Sequence, residues 1–200
     1  MPEIVKPEAL EKALEALEAG KLIVYPTETC YGLGTDATNP LAVEQIFKVK
    51  SRERTKAISI IVSSKEMIKK YAKINKETER LIQRFMPGPL TLIVPKKTSL
   101  PSKETIAFRI PANAFALKLV QKFNKPITAT SANLSGQKEF YTIKDVIKTF
   151  SKLKEIAVII NAGNLPERKP STIFDMVNKK IRREGDIKEA KIKKVLYPIC

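Results

Sequence analysis

Short apolar runs punctuate the chain: LIVY at 22–25, AISIIV at 57–62, LTLIV at 90–94 and IAVII at 156–160. Each is the length of a buried strand. Between them, apolar residues recur at helical spacing. Leu10, Ala13, Leu14 and Leu17 form one face and Gly20 stops the helix. Asn39-Pro40 is a cap followed by a first-turn proline, opening a helix with Ala42, Ile46 and Val49 inward, to about Lys50. Further helices are predicted over 64–72, 76–86, 113–123, from the cap Thr142 to about Lys152, and over 186–195. TIAFRI (105–110), PITAT (126–130), STIFDMV (171–177) and the basic KKIRREG supply more strands. Strands alternating with helices define an α/β protein. Helices separate many of the strands but not all, so the expected sheet is mixed. No linker divides residues 1–200, and the polar loop 161–170 is too short to do so.

None of the apolar runs approaches the roughly 18 residues needed to cross a bilayer, and the N-terminus carries no signal-peptide pattern. A cytoplasmic protein without a membrane partner is expected. The formal net charge of +16 favours anionic partners, nucleotide phosphates or RNA among them; a lysine-rich background accounts for it equally. The chain has no histidine, and its cysteines are Cys30 and Cys200. This excludes Ser-His-Asp and Cys-His catalysis and Cys/His zinc sites. Chemistry here must rest on Lys, Arg, hydroxyls, amides, carboxylates or a hard metal, through positioning and electrostatics.

Three stretches could carry it. PTETCYGLGTD (26–36) follows a strand where open α/β sheets place ligands; it matches neither the dinucleotide fingerprint nor the Walker loop, and also reads as a plain strand-to-turn junction. KVKSRERTK (48–56) sets a cation at every second position. Extended, it would aim Lys50, Arg52, Arg54 and Lys56 at a triphosphate from one face; otherwise water solvates them. Lys48 belongs with the preceding helix, and Arg54 is left to solvent. TATSANLSG (128–136) is a nest of hydroxyls and amides, or a polar turn. Arg109, within FRIP, needs a counter-anion, either a substrate carboxylate or a protein acid.

Taken in order, YPTETCYGLG, IFKVKSR, MPGPLTLIV, FRIP, TSANLSG, STIFD and RREG resemble the YrdC/TsaC family of threonylcarbamoyl-AMP synthases, over about residues 22–185. The family signature, KxR then SxN, stands here as Lys50-Ser-Arg52 and Ser131-Ala-Asn133. The resemblance implies a single twisted α/β domain with a large, basic, concave cavity, in the short form without an extra C-terminal domain. It implies synthesis of threonylcarbamoyl-AMP and pyrophosphate from L-threonine, bicarbonate or carbon dioxide, and ATP with Mg²⁺. A threonylcarbamoyl-transferase complex would accept the product for tRNA modification. By motif, Lys50, Arg52, Ser131 and Asn133 would be catalytic. Arg52, Lys56, Thr105, Ser131, Asn133 and Arg183 would hold ATP. Thr29, Ile61, Arg109, Ala129 and Ser171 would hold threonine, Ile61 and Ala129 through backbone atoms. No metal ligand is assigned. The stretch Glu53–Ala57 departs from the family pattern, as does Thr130 before SAN.

The chemistry suits a chain without histidine. The threonine amine captures carbon dioxide or bicarbonate, the carbamate attacks the α-phosphate, and clustered cations stabilise an anion attacking a polyanion. The alternative is an RNA-binding or RNA-processing paralog on the same fold, binding tRNA or double-stranded RNA without synthase activity. An aromatic content of 6% and the lack of an RRM-like motif weigh against it. A carbamoyl-transfer module of the hydrogenase-maturation kind would bring acylphosphatase and zinc-finger segments, which this sequence lacks.

Overall fold

The computed structural model describes residues 1–54, 57–97, 100 and 104–197. Its strands are β1 (Glu3–Val5), β2 (Leu22–Pro26), β3 (Tyr31–Gly34), β4 (Ser59–Ile61), β5 (Leu90–Pro95), β6 (Thr105–Arg109), β7 (Ile127–Ser131), β8 (Ile156–Ile160), β9 (Thr172–Asp175) and β10 (Lys180–Arg183). The helices are α1 (Leu10–Glu18), α2 (Pro40–Lys50), α3 (Lys65–Tyr71), α4 (Lys76–Phe85), α5 (Ala114–Phe123), α6 (Ile143–Phe150) and α7 (Glu189–Leu196). One ten-stranded sheet runs β1-β8-β2-β3-β7-β4-β6-β5-β9-β10. It is mixed, as expected: β1 and β2 flank β8 in parallel, while β2–β3, β3–β7 and β7–β4 are antiparallel.

Alternation along β2 sends side chains to two cores. Leu22 and Val24 join Tyr31, Leu33, Ile46 of α2, and Val146 and Phe150 of α6. Ile23 and Tyr25 join the larger core, where α1, α3, α4, α5 and α7 pack. Helices therefore cover both faces of the half that holds β2, whereas on β5, β6 and β9 the residues that alternate with the core, Thr91, Ile93, Ala107, Arg109 and Ile173, face a cleft. The helix starts follow local chemistry: the Asn39, Asn75, Asn113 and Thr142 side chains each accept from a backbone N–H of the first turn.

Two strands lay outside the sequence reading. β1 is three residues long and exists by pairing with β8, so its alternation is too short to register. β3, YGLG, reads as a glycine turn, yet its glycines are packing requirements. A Cβ on Gly34 would lie 2.7 Å from both the Thr128 carbonyl oxygen and the Tyr25 ring.

Lys48 lies in the helix, as expected, but the reading of Lys50, Arg52 and Arg54 as one extended basic face is overturned. Lys48 and Lys50 close α2, which ends at Ser51 in the left-handed region (φ 48°). Residues two apart on a helix point to different sides. Lys50 faces inward and is 1% exposed, whereas Arg54 stands in solvent, as expected, and pairs there with Glu44. Lys56 lies outside the described residues.

Candidate active site

A cleft of about 280 Å³ opens where the two halves of the sheet meet. β7 joins the halves, bonding β3 on one side and β4 on the other. The β2–β3 turn, the segment around Ser131, the entry to β4, and the strands β5, β6, β9 and β10 all contribute to its wall.

The β2–β3 turn is organised by the Thr27 hydroxyl, which donates to the Cys30 carbonyl at 2.7 Å and accepts from the Thr29 and Cys30 N–H groups at 3.2 Å. The Thr29 hydroxyl, on the cleft wall, lies 3.0 Å from that of Thr27. Burial raises the neighbouring Cys30 thiol to about 11, with Arg109 opposing, and raises the Tyr25 phenol as well.

Lys50 stands behind the wall. Its ammonium donates to the Ser131 carbonyl, to the Asn133 carbonyl at 2.6 Å and to Asn133 Oδ1 at 2.8 Å, which uses all three protons. Ser131 Oγ donates to the same Oδ1 at 2.7 Å, and Asn133 Nδ2 donates to the Gln137 carbonyl at 2.6 Å. Lys50 and Asn133 therefore shape the loop that carries Ser131. Burial, then the charge of Arg52, lowers Lys50 to about 8.

The helix ending turns Arg52 toward the cleft, its backbone N–H closing on the Phe47 carbonyl at 2.9 Å. The Arg52 guanidinium donates to the Ala57 carbonyl at 2.9 Å, and its Nε is buried without a partner among the described residues. Across the cleft, Arg183 donates to the Ser171 carbonyl at 2.9 and 3.1 Å and contacts Ser171 Oγ at 3.1 Å. Ser171 Oγ also lies 2.9 Å from Thr91 Oγ1. A Cβ on Gly185 would fall 1.9 Å from the Pro170 carbonyl oxygen, so this corner admits glycine alone.

Two arginines of the wall are neutralised. Arg182 bonds Asp175 Oδ2 through Nε at 2.9 Å and an amino group at 2.6 Å. Arg109 donates to Glu28 Oε1 at 2.8 Å, the two side chains 9% and 10% exposed. The remaining nitrogens of Arg109, which lines the cleft, make no hydrogen bond with the described residues, and Glu28 Oε2 is sealed without a partner among them. In contrast, Lys50, Arg52 and Arg183 rest on neutral oxygens and form no ion pair with the described residues.

Of the candidate residues, the cleft brings together Thr29, Arg52, Arg109, Ala129, Ser131, Ser171 and Arg183. Lys50 and Asn133 lie behind it. Ile61 is a core residue of β4 paired with Arg109 and Ile127. Thr105 is exposed at the opposite end of β6 from Arg109, roughly 13 Å along the strand. The wall also includes Tyr25, Cys30, Thr91 and Glu139, which no sequence pattern had singled out as site residues. No group of three or more His, Cys, Asp or Glu side chains suited to a metal occurs among the described residues.

The fold and cleft define a class: a two-faced mixed α/β domain whose arginine-lined cleft opens at the joint of its sheet. The chain belongs to the Sua5/YciO/YrdC family, whose model, described as telomere recombination, matches residues 15–185. A relative from Methanocaldococcus jannaschii, provisionally named a threonylcarbamoyl-AMP synthase, is 37% identical over 90% of this chain and 89% of its own. The threonylcarbamoyl-AMP synthase of Vibrio vulnificus is 31% identical over 88% and 98%. The crystal structure of Pyrococcus abyssi Sua5 complexed with L-threonine superposes with a TM-score of 0.90 at 34% identity, covering 100% of this chain and 62% of that one. No helix among the described residues is long and apolar enough to cross a membrane.

Proposed function

We propose that the chain is an L-threonylcarbamoyladenylate synthase, acting in the cytoplasm, that converts L-threonine, bicarbonate and ATP to threonylcarbamoyl-AMP and pyrophosphate. The observation that carries this reading is the division of charge within one cleft. Arg109 is half-satisfied by Glu28, while Arg52, Arg183 and the underlying Lys50 rest on neutral oxygens.

Arg109 is fixed along one edge and open along the other, the arrangement that reads a carboxylate by a planar fork. It takes the threonine carboxylate. Thr29 and Ser171 supply oxygens beside it, and the Ala129 backbone flanks the same side. Arg52 and Arg183 face the nucleotide phosphates, with Ser131 between them and the carbamate. Their positive charge lowers the barrier to an anion attacking a polyanion, and because they are held before substrate arrives little reorganisation is needed. Lys50 and Asn133 hold Ser131 in place. Mg²⁺ enters with ATP as part of that substrate, on the phosphates, since the cleft wall offers one carboxylate, Glu139. The product passes to a threonylcarbamoyl-transferase complex that modifies tRNA.

The test is pyrophosphate release from Mg·ATP by the purified protein. Release that requires both threonine and bicarbonate is expected, with threonylcarbamoyl-AMP detected by mass. Release independent of threonine, or none, rejects the assignment.

A further inference from the structure

Forming the carbamate liberates a proton, because threonine enters as an ammonium. The wall of the cleft offers few groups able to take it. Arginines hold their protons at any working pH. Cys30, raised to about 11, and Tyr25, raised by burial, are already protonated near neutrality. Threonine and serine hydroxyls are not bases there. Glu28 sits behind Arg109 with one oxygen on the guanidinium and the other sealed. Among the described residues one carboxylate remains on the wall, that of Glu139.

Glu139 is placed rather than adrift. The next residue, Phe140, accepts the Tyr31 N–H through its carbonyl at 2.9 Å, continuing from the turn that carries Thr29 and Cys30. Phe140 also packs edge-on to Phe150. Two residues earlier, the Gln137 carbonyl is held by Asn133. The half-buried Glu139 carboxylate forms no hydrogen bond or ion pair with the described residues, although Arg52, Arg109, Arg182 and Arg183 line the same cleft. Its electrostatic neighbours are Cys30 on the β2–β3 turn, Lys50 at the end of α2, Arg183 on β10 and the adjacent Tyr141. These are residues from both the threonine side and the phosphate side of the cleft.

We propose that Glu139 is the proton acceptor for the substrate's α-ammonium, an inference that rests on the synthase reading above. Glu139 takes one proton from the ammonium and leaves a neutral amine. The amine lone pair forms the N–C bond to bicarbonate while the C–OH bond breaks, and the hydroxide departs as water with a second amine proton. The carbamate oxygen then attacks the α-phosphate and pyrophosphate leaves. Glu139 returns its proton to solvent through the open side of the cleft.

The experiment is the pH–rate profile of Glu139→Gln beside wild type, with saturating Mg·ATP and bicarbonate. Gln keeps the shape and removes the base, and no bond within the described protein is lost. Turnover about 10²-fold below wild type at pH 7 is expected. The deficit should shrink as the pH rises into the range where the α-ammonium of free threonine sheds its own proton, above that of a peptide N-terminus. Wild-type rates at every pH overturn the proposal. So does a deficit constant across pH, and so does a raised Mg²⁺ requirement with a flat deficit, which would make Glu139 a metal ligand. Wild-type protein that forms no threonylcarbamoyl-AMP rejects the synthase reading itself, a result separate from any behaviour of the variant.

Discussion

Lys50 and Asn133, 83 residues apart in the chain, are joined twice: the ammonium donates to Asn133 Oδ1 at 2.8 Å and to its carbonyl oxygen at 2.6 Å. The two halves of the KxR and SxN signature are thus bonded to one another. A cation that spends every proton on the protein has none for a phosphate. Its work is to fix the Ser131 loop and to lend its charge from behind.

Lys50→Met keeps an unbranched side chain, removes the ammonium and strands three oxygens in a buried place. A loss of about 1–3 kcal/mol in stability is expected by denaturant titration, with the protein still folded. Pyrophosphate formation should be abolished, while threonine binding measured by calorimetry survives.

The same pair gives a pH test. Lys50 falls from 10.5 to about 8 on folding, so between about pH 8 and 10.5 the unfolded chain holds more of this proton than the folded one. Stability contributed by this group therefore rises with pH across that window. Cys30 and Tyr25 are shifted in the opposite direction, so the quantity to follow is the difference between wild type and Lys50→Met. That difference should move in favour of wild type from pH 8 to 10.5, even as its activity falls with loss of the ammonium. A pH-independent difference would falsify the assignment.

Arg109→Lys retains charge and removes the fork. Lysine cannot hold Glu28 and a substrate carboxylate in one plane. The threonine KM should rise about tenfold or more, equivalent to about 1.4 kcal/mol of binding, with the ATP KM little changed. Equal effects on both substrates would argue against the carboxylate role.

Gly185→Ala forces a methyl group against the Pro170 carbonyl, 1.9 Å from the ideal Cβ position. Displacing backbone rather than a flexible side chain should cost about 1–3 kcal/mol, toward the upper end. Thr172, whose hydroxyl accepts the Gly185 and Ile187 N–H groups and donates to the Ile187 carbonyl, would be disturbed with it. Thermal melts should show the loss, and Arg183 should lose its hold on Ser171.

Much of the fold was legible because its signals are local. Asn39-Pro40 and Thr142 announce helix starts through side-chain chemistry within four residues, and IAVII or LTLIV can hardly be anything but buried strands. What escaped depends on partners distant in sequence. β1 exists through β8, and Gly34 is fixed by Tyr25 and Thr128. The end of α2 near Lys50 was legible, but the path after it was not: Ser51 turns left-handed and Arg54 returns to Glu44, which the alternation of cations cannot report. At the cleft, Thr29, Arg109, Ser131 and Ser171 stand in motifs with a recognisable order. Glu139 stands in QKEFY, where nothing distinguishes it from a surface acid until the Phe140–Tyr31 bond places it on the wall.

Strand β7 bonds β3 through two residue pairs, Gly32–Ser131 and Leu33–Thr130, and β4 through three, Ser59–Ala129 to Ile61–Ile127. Thr29 and Cys30 lie on one side of this seam, Arg109 and Ser171 on the other, and Ser131 on the seam itself. The sheet's twist at β7 is therefore the jaw angle of the enzyme. A ligand that reaches from Thr29 to Ser171 spans that angle, and a substitution at a pairing residue behind the cleft, such as Leu33 or Ile60, would recalibrate the grip without touching a single contact residue.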